Sequence, residues 1–155
     1  MKNLGGDPPF LRAADRLLFG RNEFRGRGAV ALVSNDEGQI LVHLRDDKAW
    51  IAHPNVWALI GGVSEEGEDP LQTVLRELFE EVELVVDAAE PIFQLIDLDG
   101  SKNLITVFGI VTNVQLNELN LHEGQALAFY PPYKLLEMPL VPFLRDLLDE
   151  LSSSQ

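Results

Sequence analysis

The sequence predicts an α/β fold of the α+β kind, built on a mixed β-sheet. Three observations carry that expectation. Apolar, β-branched runs come in hairpin pairs, as at Ala29–Val33 and Ile40–Arg45 around the turn Asn35-Asp-Glu-Gly38, and tight turns between such runs make antiparallel pairs. A single strongly amphipathic helix begins at Asp69, and a second occupies 143–151 near the end of the chain. The order of strands and helices is therefore irregular, which suits a mixed sheet rather than a doubly wound parallel one.

The elements follow in order. Residues 8–19, Pro-Pro-Phe-Leu-Arg-Ala-Ala-Asp-Arg-Leu-Leu-Phe, predict a short amphipathic helix ended by Gly20, suited to packing or to a homodimer contact. With the polar connection after it, this makes an N-terminal segment over 1–27. A single domain then spans 28–151, and 152–155 is a disordered tail. The unbroken apolar Ala29–Val33 is a buried strand, and Ile40–Arg45 is its hairpin partner. Residues 46–56 form a loop, and Trp57–Ile60 is a strand that ends in a tight turn at Gly61-Gly62. After the central helix, Pro91–Leu98 and Leu104–Thr112 are strands joined at Asp99-Gly100, a hairpin dipeptide. Residues 113–120 are polar loop, and a strand ends at Tyr130.

Composition narrows the function. At 155 residues, with 46% of them apolar, the chain can bury one sizeable core. The absence of cysteine excludes disulfides, thiolate metal sites and cysteine nucleophiles. Three scattered histidines give no zinc spacing. The first residues lack the apolar region of a signal peptide, and no apolar run is long enough to span a bilayer. No membrane association and a cytoplasmic location are the expectations. A net charge of −13, with only Arg21, Arg25 and Arg27 close together among the cations, argues against nucleic acid as partner.

The chemistry concentrates in residues 61–84. Asp69 stands at a helix N-cap position, with Pro70 at the first helical position and Gln72 three residues after the cap. Leu71, Leu75, Leu78 and Val82 recur at helical spacing and predict the buried stripe. Glu77, Glu80 and Glu81 fall at i, i+3 and i+4, so their carboxylates cluster on another face. Like charges so placed oppose one another by about 0.2–0.5 kcal/mol per pair. A solvated acidic face would tolerate that. A divalent cation held by carboxylates, waters and substrate phosphates would relieve it.

The spacing decides between those readings. Gly62, Glu68, Arg76, Glu77, Leu78, Glu80, Glu81 and Leu84 resemble the Nudix box, G-x5-E-x7-R-E-U-x-E-E-x-G-U with U aliphatic. One position departs: Glu83 stands where the box has glycine. Either Glu83 takes a left-handed conformation at the helix end, or the helix runs on. Ile60 also replaces the proline that usually precedes the two glycines.

The resemblance implies the Nudix fold, a mixed β-sheet sandwiched between α-helices, and hydrolysis, with Mg²⁺ (Mn²⁺ as substitute), of a nucleoside diphosphate linked to another group. Within it, Glu80 and Glu81 are expected as metal ligands and Glu77 as ligand or general base. The Gly61 carbonyl completes the shell, while Glu68 and Arg76 with Gly62 support the loop. Glu123, in the MutT-like run Glu123-Gly-Gln, is expected as a further metal-binding or catalytic glutamate. The base stays open between Glu77 and Glu123. Arg45 is either a phosphate contact or a rim ion pair with Asp46 or Asp47. The preferred substrate is a nucleoside triphosphate, intact or damaged, cleaved to monophosphate and pyrophosphate, with Asp97 or Glu137 as base readers. A nucleoside diphosphate sugar or alcohol, or a non-catalytic nucleotide sensor, are the alternatives.

Overall fold

The computed structural model describes residues 24–97 and 102–153. The expected helix over 8–19 and the Asp99-Gly100 turn lie outside the described residues. Seven strands form one sheet: β1 (Arg27–Ser34), β2 (Ile40–Leu44), β3 (Trp57–Ala58), β4 (Ile60–Val63), β5 (Glu90–Ile96), β6 (Leu104–Val111) and β7 (Ala126–Tyr130). Among the described residues three α-helices accompany it: α1 (Pro70–Val82), α2 (Pro132–Leu135) and α3 (Pro142–Ser153). The sheet is mixed, as expected. β1 lies at its centre, antiparallel to β2 and β4 and parallel to β6, with Arg27 facing Leu104 and Ser34 facing Val111. β5 pairs antiparallel with β6 as the outer strand, and β7 extends the other side from β2.

Both faces of the sheet are covered. Alternation along β1 sends Ala29, Ala31 and Val33 toward α1, where they pack with Val74, Leu78 and Val82. Val30 belongs to the opposite core, closed by Leu144, Leu147 and Leu148 of α3. A strand buried on both faces is continuous in its apolar character, which is how β1 reads. The two alanines leave room for α1 to approach closely. Among the described residues no helix is long and apolar enough to cross a membrane.

Four local expectations are revised. The buried stripe of α1 runs through Val74, Leu78 and Val82, while Leu71 is 40% exposed. The helix is turned so that Thr73 and Glu81 are also buried, and this rotation brings the 77/81 edge against β4. Gly61 and Gly62 do not end the preceding strand. They lie inside β4, opposite Val30 and Ala29, and a Cβ on Gly61 would stand 2.2 Å from the Ala29 carbonyl oxygen. The run Trp57–Ile60 splits at Leu59, β3 pairing with β2 and β4 with β1. Ser152 and Ser153 continue α3 beyond the expected tail boundary.

Candidate active site

The start of α1 is fixed by a capping box: the Asp69 carboxylate accepts from the Gln72 N–H at 2.8 Å, and Gln72 Oε1 accepts from the Asp69 N–H at 2.9 Å. The loop before it is tied to the helix by Arg76. Its Nε and Nη2 donate to Glu68 Oε2 and Oε1 at 2.6 and 3.0 Å, and Nη2 also reaches the Val63 carbonyl at 3.2 Å. This fork-shaped pairing is the geometry guanidinium favours. The Arg76 hydrogen bond, foremost among several causes, draws the Glu68 carboxyl down to about 2. Thr73, fully buried, adds bonds from Oγ1 to Glu68 Oε1 at 2.9 Å and with Ser64 Oγ at 2.7 Å. Glu68 and Arg76 therefore tie loop to helix.

Three carboxylates converge where α1 crosses β4. Ligand atoms of Glu77, Glu81 and Glu123 all lie within 4.8 Å of one another. Glu81 is 3% exposed, with Oε2 accepting from the Gly61 N–H at 3.2 Å. Burial, then hydrogen bonding with Glu77, then the charges of Glu123 and Glu77 push its carboxyl far above the usual range, opposed only by the Gly61 N–H. Gly62 makes room for the cluster: a Cβ there would come 2.8–3.0 Å from the Glu77 carboxylate. Glu80 lies apart from these three. Its side chain is 56% exposed and bonded to Arg76 Nη1 at 3.1 Å; the same Nη1 holds Glu77 Oε1 at 2.8 Å. Gly61 meets the cluster through its N–H, and the structure gives no contact for its carbonyl there.

Glu123 arrives on a strap pinned at both ends. On one side, the Asn120 and His122 N–H groups bond the Val82 and Glu81 carbonyls at 3.1 and 2.7 Å, satisfying the open C-terminal end of α1. On the other, Gln125 donates from its backbone to Leu44 O at 2.7 Å and from Nε2 to Arg45 O and Asn55 Oδ1 at 2.8 and 2.9 Å. Gly124 turns between these pins with φ +95°, where a Cβ would stand 2.7 Å from the Leu44 carbonyl oxygen. Glu123 itself is exposed.

Beside Glu123 opens a cavity of about 170 Å³, lined by His43, Arg45, Asp46, Lys48, Trp50, Ile51, Glu123 and Gly124. Asp97 and Glu137 are not among its walls. Arg45 neither stands free nor pairs with Asp46: Nη2 and Nε bond the Ala52 and His53 carbonyls at 2.8 and 3.1 Å. Lys48 pairs with Asp46 instead, at 3.6 Å, and lies over the Trp50 ring at 5.9 Å. Trp50 is 81% exposed. His43, unassigned from sequence, is buried on β2 with Nε2 3.9 Å from Glu81 Oε1. Burial is the main cause holding its pKa below the ordinary value, so it is neutral near pH 7. Its Nδ1 has no hydrogen-bond partner.

The carboxylate site fits a hard divalent cation. All three groups offer oxygen, the donor set of Mg²⁺ and Mn²⁺ rather than of softer metals. One is buried among like charges, a position that leaves an ionised carboxylate uncompensated unless a cation or proton joins it.

The sequence model of the NUDIX domain matches residues 24–151. The chain belongs to the Nudix family. The match spans both the box on α1 and the strap carrying Glu123, and it makes this protein an enzyme of the Nudix pyrophosphohydrolase class. Solved structures agree in fold. A MutT protein from Methanosarcina mazei Go1 superposes with a TM-score of 0.74 at 21% identity, covering 87% of this chain and 98% of that one. The Nudix domain of Shewanella oneidensis NrtR, solved with ADP ribose, gives 0.66 at 19% identity over 88% and 93%. The E. coli dihydroneopterin triphosphate pyrophosphohydrolase gives 0.65 at 17% identity over 86% and 100%. No curated protein matches this Nudix chain in sequence.

Proposed function

We propose that this Nudix protein hydrolyses a nucleoside triphosphate, intact or damaged, to the monophosphate and pyrophosphate, with Mg²⁺ or, in its place, Mn²⁺. The observation that carries the reading is the convergence of Glu77, Glu81 and Glu123 beside a cavity whose rim holds Arg45, Lys48 and Trp50. Glu77, Glu81 and Glu123 would hold the cation, with Glu80 joining from the helix surface. The bound cation supplies charge compensation for the phosphate oxygens as the displacement proceeds.

The chain's own residues supply the rest. Arg76 keeps one oxygen of Glu77 occupied, whereas Glu123 is exposed and open to solvent; Glu123 therefore accepts the proton of the attacking water. The water oxygen bonds to phosphorus, the anhydride P–O bond breaks, pyrophosphate leaves, and the proton passes from the carboxylate to bulk water. Lys48 offers charge to the polyphosphate, and the open face of Trp50 offers a stacking surface to the base. The two anchors of the strap keep Glu123 from wandering, so its motion is confined to a two-residue span.

The test is release of pyrophosphate against phosphate over a panel of nucleoside triphosphates, nucleoside diphosphate sugars and ADP-ribose, with Mg²⁺ and with chelator. Pyrophosphate from triphosphates, dependent on Mg²⁺, is the expected result. Monophosphate products from diphosphate sugars alone would replace the substrate class, and tight binding without turnover would make the protein a nucleotide sensor.

A further inference from the structure

The one position where the box is broken carries a contact that glycine could not make. Glu83 follows α1 with φ 57° and ψ 36°, a left-handed conformation that disfavours side chains other than glycine. The helix closes there as it would with glycine, the Glu83 N–H bonding Phe79 O at 2.9 Å. The side chain, however, bonds Nε2 of His122 through its own Oε2. The next residue along the strap is Glu123. Between His122 and the pin at Gln125 stand only Glu123 and Gly124, so the angle at which Glu123 leaves its first anchor sets where its carboxylate lies.

We propose that Glu83 is a positioning residue: its pairing with His122 fixes the Glu123 carboxylate against Glu77 and Glu81. The inference rests on the carboxylate cluster being the catalytic site. From sequence alone, the substitution touches only the helix end; the structure connects it to the third carboxylate. The competing explanation is an exposed ion pair of little consequence, with the backbone bonds from Asn120 and His122 sufficient to place the strap.

Four full-length variants separate these: Glu83→Gly, Glu83→Gln, His122→Ala, and Glu83→Gly combined with Glu123→Gln. Glu83→Gly should raise Tm, because the left-handed residue is relieved, and yet lower kcat at least fivefold with KM unchanged. A side chain with a merely structural role would move stability and turnover in the same direction. Glu83→Gln keeps an acceptor for His122 and should retain most of the turnover, while His122→Ala should reproduce the loss. In the Glu123→Gln background, Glu83→Gly should cost nothing further. Wild-type kcat in Glu83→Gly overturns the proposal, as does an undiminished loss in the Glu123→Gln background. A second readout stands apart from turnover. In metal-free protein the backbone amide at position 122 should exchange at least tenfold faster in His122→Ala than in wild type. Equal exchange rates overturn the proposal, even if the wild type hydrolyses none of the nucleotides tried.

Discussion

Replacing Glu81 by Gln should make the metal-free protein more stable and the enzyme nearly inactive. Glu81 is 3% exposed, and its carboxyl is held above its ordinary 4.5 by burial first and by Glu77 and Glu123 next. The sign follows from proton counting. Above pH 4.5 the unfolded chain releases this proton while the folded chain keeps it, so stability falls as pH rises through that interval. At pH 7 the interval is about 2.5 pH steps of about 1.4 kcal/mol each, a ceiling between about 3 and 4 kcal/mol. Gln is neutral, similar in size and can still accept from the Gly61 N–H, so it should recover about 2 kcal/mol of this at pH 7 and under 1 kcal/mol at pH 5. For a chain of this length that is a rise of about 4–8 °C in Tm at pH 7. Calorimetry in chelator at both pH values measures it. Saturating Mn²⁺ should then raise Tm in the wild type through linkage and far less in the variant, whose kcat should fall at least ~100-fold, the scale of losing a main electrostatic contact. A variant less stable than wild type in chelator at pH 7, or an equal Mn²⁺ shift in both proteins, would refute the reasoning.

Further outcomes follow from the same geometry. Gly62→Ala should displace the Glu77 carboxylate that its Cβ would meet at 2.8–3.0 Å, lowering kcat about tenfold or more with little change in Tm. Gly61→Ala, facing backbone at 2.2 Å, should instead lower Tm sharply, as overpacking does. Glu68, held down to about 2 by Arg76, contributes stability that is present above pH 4.5 and lost as pH falls toward 2. Acid unfolding of Glu68→Gln should therefore begin at higher pH than that of the wild type, and identical acid midpoints would contradict the pairing. Glu123→Gln should lower kcat and kcat/KM together, while Mn²⁺ affinity of the free protein, held mainly by the helical carboxylates, changes little; unchanged kcat would return the base to Glu77.

The box was legible because its information is local. Spacing along one helix places Glu77 and Glu81 together whatever the rest of the chain does, and the Asp69–Gln72 cap is written within four residues. The difference between Glu80 and Glu81 was not legible. It depends on how far α1 is rotated, and that rotation is set by Thr73 lodging against Ser64 and Glu68, a contact between loop and helix. Glu123 could be found only through resemblance, and its supports, Gln125 and His122, had no signal of their own. They act by bonding the end of α1 and the end of β2, elements far away in sequence. Arg45 reads in sequence as the last residue of its strand and stands one residue beyond β2; its partners are main-chain carbonyls, which no side-chain pattern announces. His43 alternates correctly for a strand and gives no hint of which face meets Glu81.

The parallel pairing of β1 with β6 bears on when the site comes into being. Arg27 must find Leu104 across most of the intervening chain, and such long-range pairings, slow to close, dominate the folding times of mixed folds. Glu77 and Glu81 come with a local helix, but Glu123 joins them only after β2 and α1 are in place to pin its strap. The cost of gathering the three carboxyl groups, Glu81 among them buried, thus weighs on the last contacts to form rather than on collapse. A cation bound there would slow unfolding and leave the folding rate almost untouched, so the enzyme's persistence at elevated temperature would depend on its metal supply more than its speed of assembly would.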